Sequence, residues 1–274
     1  MKKSMYISIF AMALCVLMGT PAQAALFGPG SALEVYFNFD NNIVEQVNPA
    51  PGVGRDPVLV GPNAPRYTAG QFGQAADFQN SNGGGATVND WAISLGSLNS
   101  VWYWNVLEQG ASWSFSMWIN NTAHADKALF GWQNYTTGTN VGLSVTNHAA
   151  QNINYGNGYA QGRVVMNPPM YDGQWHMYTV VGSGSQMLVY VDGNLWATKG
   201  NVLWGSSGYD TMIGGSGYGA YSGTGKIDDL GIWRRALSPA EITELFGAPV
   251  IPEPATMSLL AIGGLAALVR RRRK

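Results

Sequence analysis

Apolar residues recur at every second position in several short stretches of this chain, the period expected of strands that bury one face. In residues 33–40, Leu33, Val35, Phe37 and Phe39 form one face, while Glu34, Asn38 and Asp40 point the other way. Trp113, Phe115, Met117 and Ile119 repeat the pattern. Trp175, Met177 and Val181 mark a third strand, and Met187, Val189 and Val191 a fourth. The fourth closes on Asp192-Gly193, a two-residue hairpin signal, and these last two strands are predicted to pair. Only one helix is predicted. Ser238-Pro239-Ala240-Glu241 reads as an N-cap, a proline at the first helical position and a capping-box glutamate, with Ile242, Leu245 and Phe246 on one face and Gly247 as the stop.

Between the strands the chain is rich in Gly, Asn, Ser, Tyr and Trp and poor in charge. Residues 155–159 and 215–221 are Gly- and Tyr-rich loops that only aromatic packing can order. The roughly 225 residues between the two ends suit one β-sandwich better than two domains.

The ends read differently. Residues 1–24 carry Lys2 and Lys3, an apolar stretch from Met5 to Met18, and Ala22-Gln23-Ala24, the small-x-small pattern a signal peptidase requires. The mature chain is therefore expected to begin near Ala25, with 25–32 as a lead. The single cysteine, Cys15, leaves with the signal, so no disulfide is expected. Residues 248–274 form a tether, then Pro252-Glu253-Pro254, an apolar run from Ala255 to Val269, and the cluster Arg270 to Lys274. At about 1.5 Å per residue that run spans about 22 Å, short of the roughly 30 Å hydrocarbon core. The ordered triplet, short apolar helix and basic end resemble the PEP-CTERM sorting signal of Gram-negative bacteria that make extracellular polysaccharide. The resemblance implies transient insertion in the inner membrane and recognition of Pro252-Glu253-Pro254 by an exosortase.

Seven of the 15 basic residues lie in these two ends, which leaves eight against 15 or 16 acidic ones. An acidic mature domain disfavours nucleic acid and acidic polymers as partners and suits a divalent cation.

The order of the internal blocks resembles the laminin-G-like, or concanavalin A-like, jelly roll. The blocks are the opening strand ending in Phe39-Asp40, residues 70–78, 114–118, 172–176 and 188–193, and residues 225–230 running on to 235–242. The implied fold is all-β: residues 33–247 as a sandwich of two antiparallel sheets with one short C-terminal helix, flanked by the signal peptide and the apolar sorting helix. Between Ala86 and Gly110 the resemblance fades, and this stretch, with Trp91, Trp102, Tyr103 and Trp104, is expected to be an insertion or altered loop that carries specificity.

The fold includes glucanases, yet the chain has no Glu-x-Asp-x-x-Glu string to set paired carboxylates on one strand. Glu241 belongs to the predicted helix cap. His124, His148 and His176 have no clustering spacing, and His176 is expected to pack or pair on its strand. Many relatives bind calcium between the loop after the first strand and the last strand, and the matching positions are Asp40, Asp228 and Asp229. Neighbouring aspartates alternate faces, so one of the pair would share an ion with Asp40. The alternative is that all three bond backbone amides and cap loops, with Arg234 or Arg235 neutralising one.

Trp113, Trp175 and Trp233 have the spacing of core residues. Trp102, Trp104, Tyr155, Tyr159, Tyr218 and Tyr221 are the candidate sugar-binding aromatics. Together these features predict an exported, non-enzymatic carbohydrate-binding or adhesion module of the cell surface or polysaccharide matrix. The alternatives are a glycan hydrolase or lyase of the same fold, and a self-associating structural matrix protein.

Overall fold

The computed structural model describes residues 26, 31–43, 57–79, 88, 90–97, 112–121, 128–131, 143–146, 152–155, 163–165, 172–202, 210–215 and 223–247. Within them the chain forms β1 (Leu33–Phe37), β2 (Val58–Val60), β3 (Tyr67–Ala69), β4 (Gln74–Gln79), β5 (Ala92–Ser97), β6 (Ser112–Asn120), β7 (Ala128–Gly131) and β8 (Leu143–Thr146). It continues through β9 (Asn152–Tyr155), β10 (Arg163–Val165), β11 (Trp175–Ser183), β12 (Gln186–Val191), β13 (Asn194–Lys199), β14 (Asp210–Ile213) and β15 (Thr224–Trp233) to α1 (Pro239–Gly247).

These strands make two sheets, in every recorded pairing antiparallel. One has the order β13-β12-β11-β6-β15-β4-β3, with β1 added on β15; the other runs β10-β9-β8-β7-β14-β5-β2. The face-to-face core takes Phe37, Phe39, Trp113, Phe115, Met117, Tyr178, Val180 and Val189 from the first sheet and Ile93, Leu129, Phe130 and Ile213 from the second. Phe115 and Phe130 meet across the interior with ring centroids 5.0 Å apart. The predicted second strand and the predicted hairpin therefore form, and the opening strand forms only as far as Phe37: Phe39 has a left-handed φ of 54° and Asp40 lies beyond the strand.

Two expectations change. Trp175, Met177 and Val181 do lie on one face of β11, but on the side away from the other sheet, where they join Tyr36, Trp118, Trp233, Ile242 and Leu245 in a second cluster under α1. Tyr178 and Val180 supply the core-facing side. The first sheet is covered on both faces, so β6 is buried from Trp113 to Ile119 without alternation. The segment around Trp91 is framework: Trp91 stacks on Phe78 at 4.3 Å, its Nε1 donates to the Asp77 carbonyl, and β5 lies between β14 and β2.

The helix starts as read. Ser238 N and Oγ both donate to Glu241 Oε2 at 2.8 Å, and Glu241 N donates back to Ser238 Oγ at 3.3 Å. Ile242 and Leu245 are buried, whereas Phe246 is 39 % exposed and stacks on Trp118. Gly247 is the last helical residue rather than a stop beyond it.

Candidate functional site

β15 changes partner along one edge. Thr224 to Ile227 pair with β4, and Leu230 to Trp233 pair with β1. At the seam the ladder with β6 slips between Asp228 and Gly231, and Asp229 takes a left-handed φ of 46°. A bulge of this kind leaves backbone groups without ladder partners, and side chains must supply acceptors. The aspartates do so.

Asp228 Oδ1 accepts Asp229 N at 2.9 Å and its Oδ2 accepts Phe72 N at 3.0 Å. Asp229 Oδ1 accepts the Tyr36 hydroxyl at 2.5 Å. Asp40 Oδ1 accepts Gln74 N at 2.8 Å, and Oδ2 accepts Asn38 Nδ2 at 3.0 Å. The loop from Gly70 to Gly73 is thus tied to β15. A Cβ on Gly70 would lie 2.4 Å from Asp228 Oδ2, so the carboxylate fits only against glycine.

Burial, and after it the charge of Asp229, pushes the Asp228 carboxyl up to about 8. The Tyr36 phenol is raised far above its ordinary range by burial first and then by Asp229. The three residues named for calcium therefore do gather with Tyr36 at one seam. A calcium ion takes six to eight oxygens. As arranged, four of these carboxylate oxygens accept backbone or side-chain N–H groups and a fifth accepts a hydroxyl, and among the described residues no three His, Cys, Asp or Glu side chains are grouped to hold a metal ion. This arrangement does not fit a calcium cage. Arg234 pairs with Glu34 at 3.1 Å and Arg235 with Glu241 at 2.6 Å.

A second cluster ties the hairpin end. His176 Nδ1 lies 2.7 Å from Asp192 Oδ2 and Nε2 3.4 Å from Asp172 Oδ2, while Asp192 Oδ1 accepts Met177 N at 2.9 Å. His176 thus clasps two turns on its strand, in keeping with a pairing role. In a third cluster Asp90 is raised by burial but driven below its usual range overall by the hydrogen bonds of Arg66, Asn63 and Gln79 N.

Of the sugar-binding candidates, Tyr155 ends β9 opposite Leu143. Trp102, Trp104, Tyr159, Tyr218 and Tyr221 lie outside the described residues, as do the processing positions Ala22, Ala24, Pro252, Glu253 and Pro254. Sequence reading missed a different exposed aromatic, Trp196 on β13, which is 44 % exposed beside Leu195 at 57 %. The signal was available: Leu195-Trp196 interrupts a strand that otherwise reads Asn194, Ala197, Thr198, Lys199 just beyond the hairpin turn.

Two antiparallel sheets packed over an aromatic core, with a short helix on the outer face, define a concanavalin A-like jelly-roll sandwich. The profile of the concanavalin A-like lectin/glucanases superfamily, in its laminin-G-like form, matches residues 78–243, and the chain belongs to that family. β1 and the Gly70 loop precede the matched span but are built into the same sheet. A PEP-CTERM protein-sorting motif matches residues 250–274, and such a motif implies exosortase-dependent sorting and export across the inner membrane of Gram-negative bacteria.

Comparison with curated proteins gave no match. Among solved structures, domain 4 of a GH43 extracellular arabinanase from Geobacillus stearothermophilus, in complex with arabinotriose, is similar at a TM-score of 0.55 and 16% identity, covering 78% of this chain and 97% of that one. The binding domain of botulinum neurotoxin DC, in complex with SialylT, gives 0.55 at 12% identity, covering 79% and 51%. The binding domain of Paraclostridial Mosquitocidal Protein 1 gives 0.56 at 11% identity, covering 79% and 52%. The chain spans about half the length of these toxin domains. Such low identities bear on the fold alone.

Proposed function

We propose that this protein is an exported, non-enzymatic carbohydrate-binding module that acts at the cell surface or in the extracellular polysaccharide matrix after exosortase processing. The observation that carries this reading is the union, in one chain, of a lectin-type sandwich with a PEP-CTERM motif. Residues 33–247 form the binding domain, and 248–274 serve as tether and sorting signal. The acidic residues described above are engaged in holding strands and turns, which favours binding over hydrolysis.

The reading is tested by thermal melts against a panel of extracellular polysaccharides, with calcium or chelator as a second variable. A ligand that binds only the folded state stabilises it by about 2.7 kcal/mol at a hundred times its dissociation constant. A rise in midpoint with one glycan supports the reading, and turnover of that glycan replaces it with an enzyme. A midpoint that chelator lowers assigns a metal to this chain against the arrangement seen at the seam.

A second reading, a self-associating matrix protein, is favoured by β2, an edge strand on which Val58 is 59 % and Leu59 44 % exposed. Concentration-dependent assembly without glycan would select it.

A further inference from the structure

The residues expected to lead from the signal peptide into the domain are built into it. Leu26 is fully buried, in the outer cluster with Trp233, Leu237, Ile242 and Leu245. Its carbonyl accepts the Trp233 Nε1–H at 3.0 Å, a buried bond between residues 207 apart in sequence. Farther along the lead, the Ser31 carbonyl accepts Arg235 Nε at 2.8 Å and the Ala32 carbonyl accepts Arg234 N at 2.7 Å. The same Arg235 guanidinium donates to Glu241 Oε2 at 2.9 Å and Oε1 at 2.6 Å. One side chain thus fastens both the lead and the capped start of α1.

This docking bears on the bond expected to be cut. The small-x-small pattern of Ala22-Gln23-Ala24 sets that bond between Ala24 and Ala25, one residue before Leu26. A peptidase must draw out the backbone on both sides of a bond to bring its carbonyl onto the attacking oxygen, and a buried, hydrogen-bonded neighbour resists this. Withdrawing Leu26 would return an apolar side chain to water and break the Trp233 bond inside the cluster, and both changes are costly. Cleavage of the folded chain can then proceed only through the small fraction in which the lead has opened. The partners of the lead, Trp233 to Arg235 and α1, come at the end of the described chain, so the lead cannot dock until nearly all of the domain has been made.

We propose that docking of Leu26 under α1 closes the signal-peptide bond to hydrolysis, so that the bond between Ala24 and Ala25 is cut before the lead seats and is protected afterwards. In the cut, water adds across that bond, Ala24 leaves as a carboxylate and Ala25 becomes the new amino terminus. The lock rests on the cleavage expected from the sequence and gives it a place in the order of events. It does not depend on what the domain binds.

The test uses the full-length precursor, signal included, in detergent micelles with a purified bacterial signal peptidase. One sample is folded beforehand and another is diluted from urea directly into the peptidase, and release of the amino-terminal peptide is followed by mass spectrometry. Cleavage of the folded sample is expected to be at least tenfold slower. Trp233→Phe leaves the cleavage sequence untouched and removes the N–H that holds the Leu26 carbonyl. It is expected to speed cleavage of the folded sample severalfold and to leave the diluted sample unchanged. Arg235→Gln should act in the same direction, and it replaces Trp233→Phe if near-ultraviolet circular dichroism shows that variant unfolded. Equal rates for the folded and diluted unaltered precursor overturn the lock and leave the expected cleavage standing. Slow cleavage of the folded sample that neither variant speeds also overturns it, because the bonds of the lead are then not the source of protection. Absence of cleavage in both samples removes the expected site and the lock together.

Discussion

At the scale of single residues, Asp228 has the most direct consequence. An unfolded aspartate gives up its proton near 3.9, whereas folded Asp228 keeps it to about 8, so the folded state binds the extra proton between those values. Its contribution to stability is therefore fully present below about pH 4 and lost as pH rises toward about 8. Asp228→Asn, which removes the titration but leaves one of the two backbone N–H groups without its acceptor, is expected to lower stability overall and to flatten the fall in unfolding free energy between pH 5 and pH 8, read by urea denaturation. Gly70→Ala should be costly at any pH, because its methyl would occupy the space of Asp228 Oδ2. A loss of about 2 kcal/mol or more, in the range of overpacking, is expected from the same titration. The gathering of Asp40, Asp228 and Asp229 was legible only through the family resemblance, which matched them to positions after the first strand and within the last. Their use as acceptors at a partner switch was not, since neither the bulge nor the buried hydroxyl of Tyr36 leaves a mark in the spacing.

At the scale of elements, local signals were the most readable. The capping box of α1 shows in four consecutive letters, and Ser238→Ala should cost about 1 kcal/mol in thermal or urea unfolding. The alternation of β6 identified Phe115 as core, and Phe115→Ala is expected to destabilise by about 3–5 kcal/mol. Alternation also misled. β11 has apolar residues on both faces, because α1 and Leu26 cover the outer side, and a period of two cannot say which face looks at the other sheet. The same limit hid β5: its small, polar-rich sequence Ala-Ile-Ser-Leu-Gly-Ser does not advertise a strand, although β14 and β2 pair with it on either side.

At the scale of the whole molecule, composition and block order were enough for a two-sheet lectin-type sandwich and for the sorting motif at its end. Which surface meets a ligand was not legible, since an exposed tryptophan and a buried one are the same letter until register is known. Replacement of Pro252-Glu253-Pro254 by alanines is expected to leave the folded domain intact and retain it at the inner membrane, followed by cell fractionation. The partner switch on β15 also governs when this molecule can exist. β15 supplies an edge to β1, β4 and β6, and the Tyr36 and Asp229 it brings together stand 193 residues apart. Long-range pairing of this sort cannot be rewarded until both segments are present. The first strand made must therefore wait for the last, and a chain stopped anywhere before Thr224 is left with an unfinished sheet. Until Thr224 to Trp233 have been made the larger sheet cannot close, so strand order alone delays folding until nearly the whole domain has been synthesised.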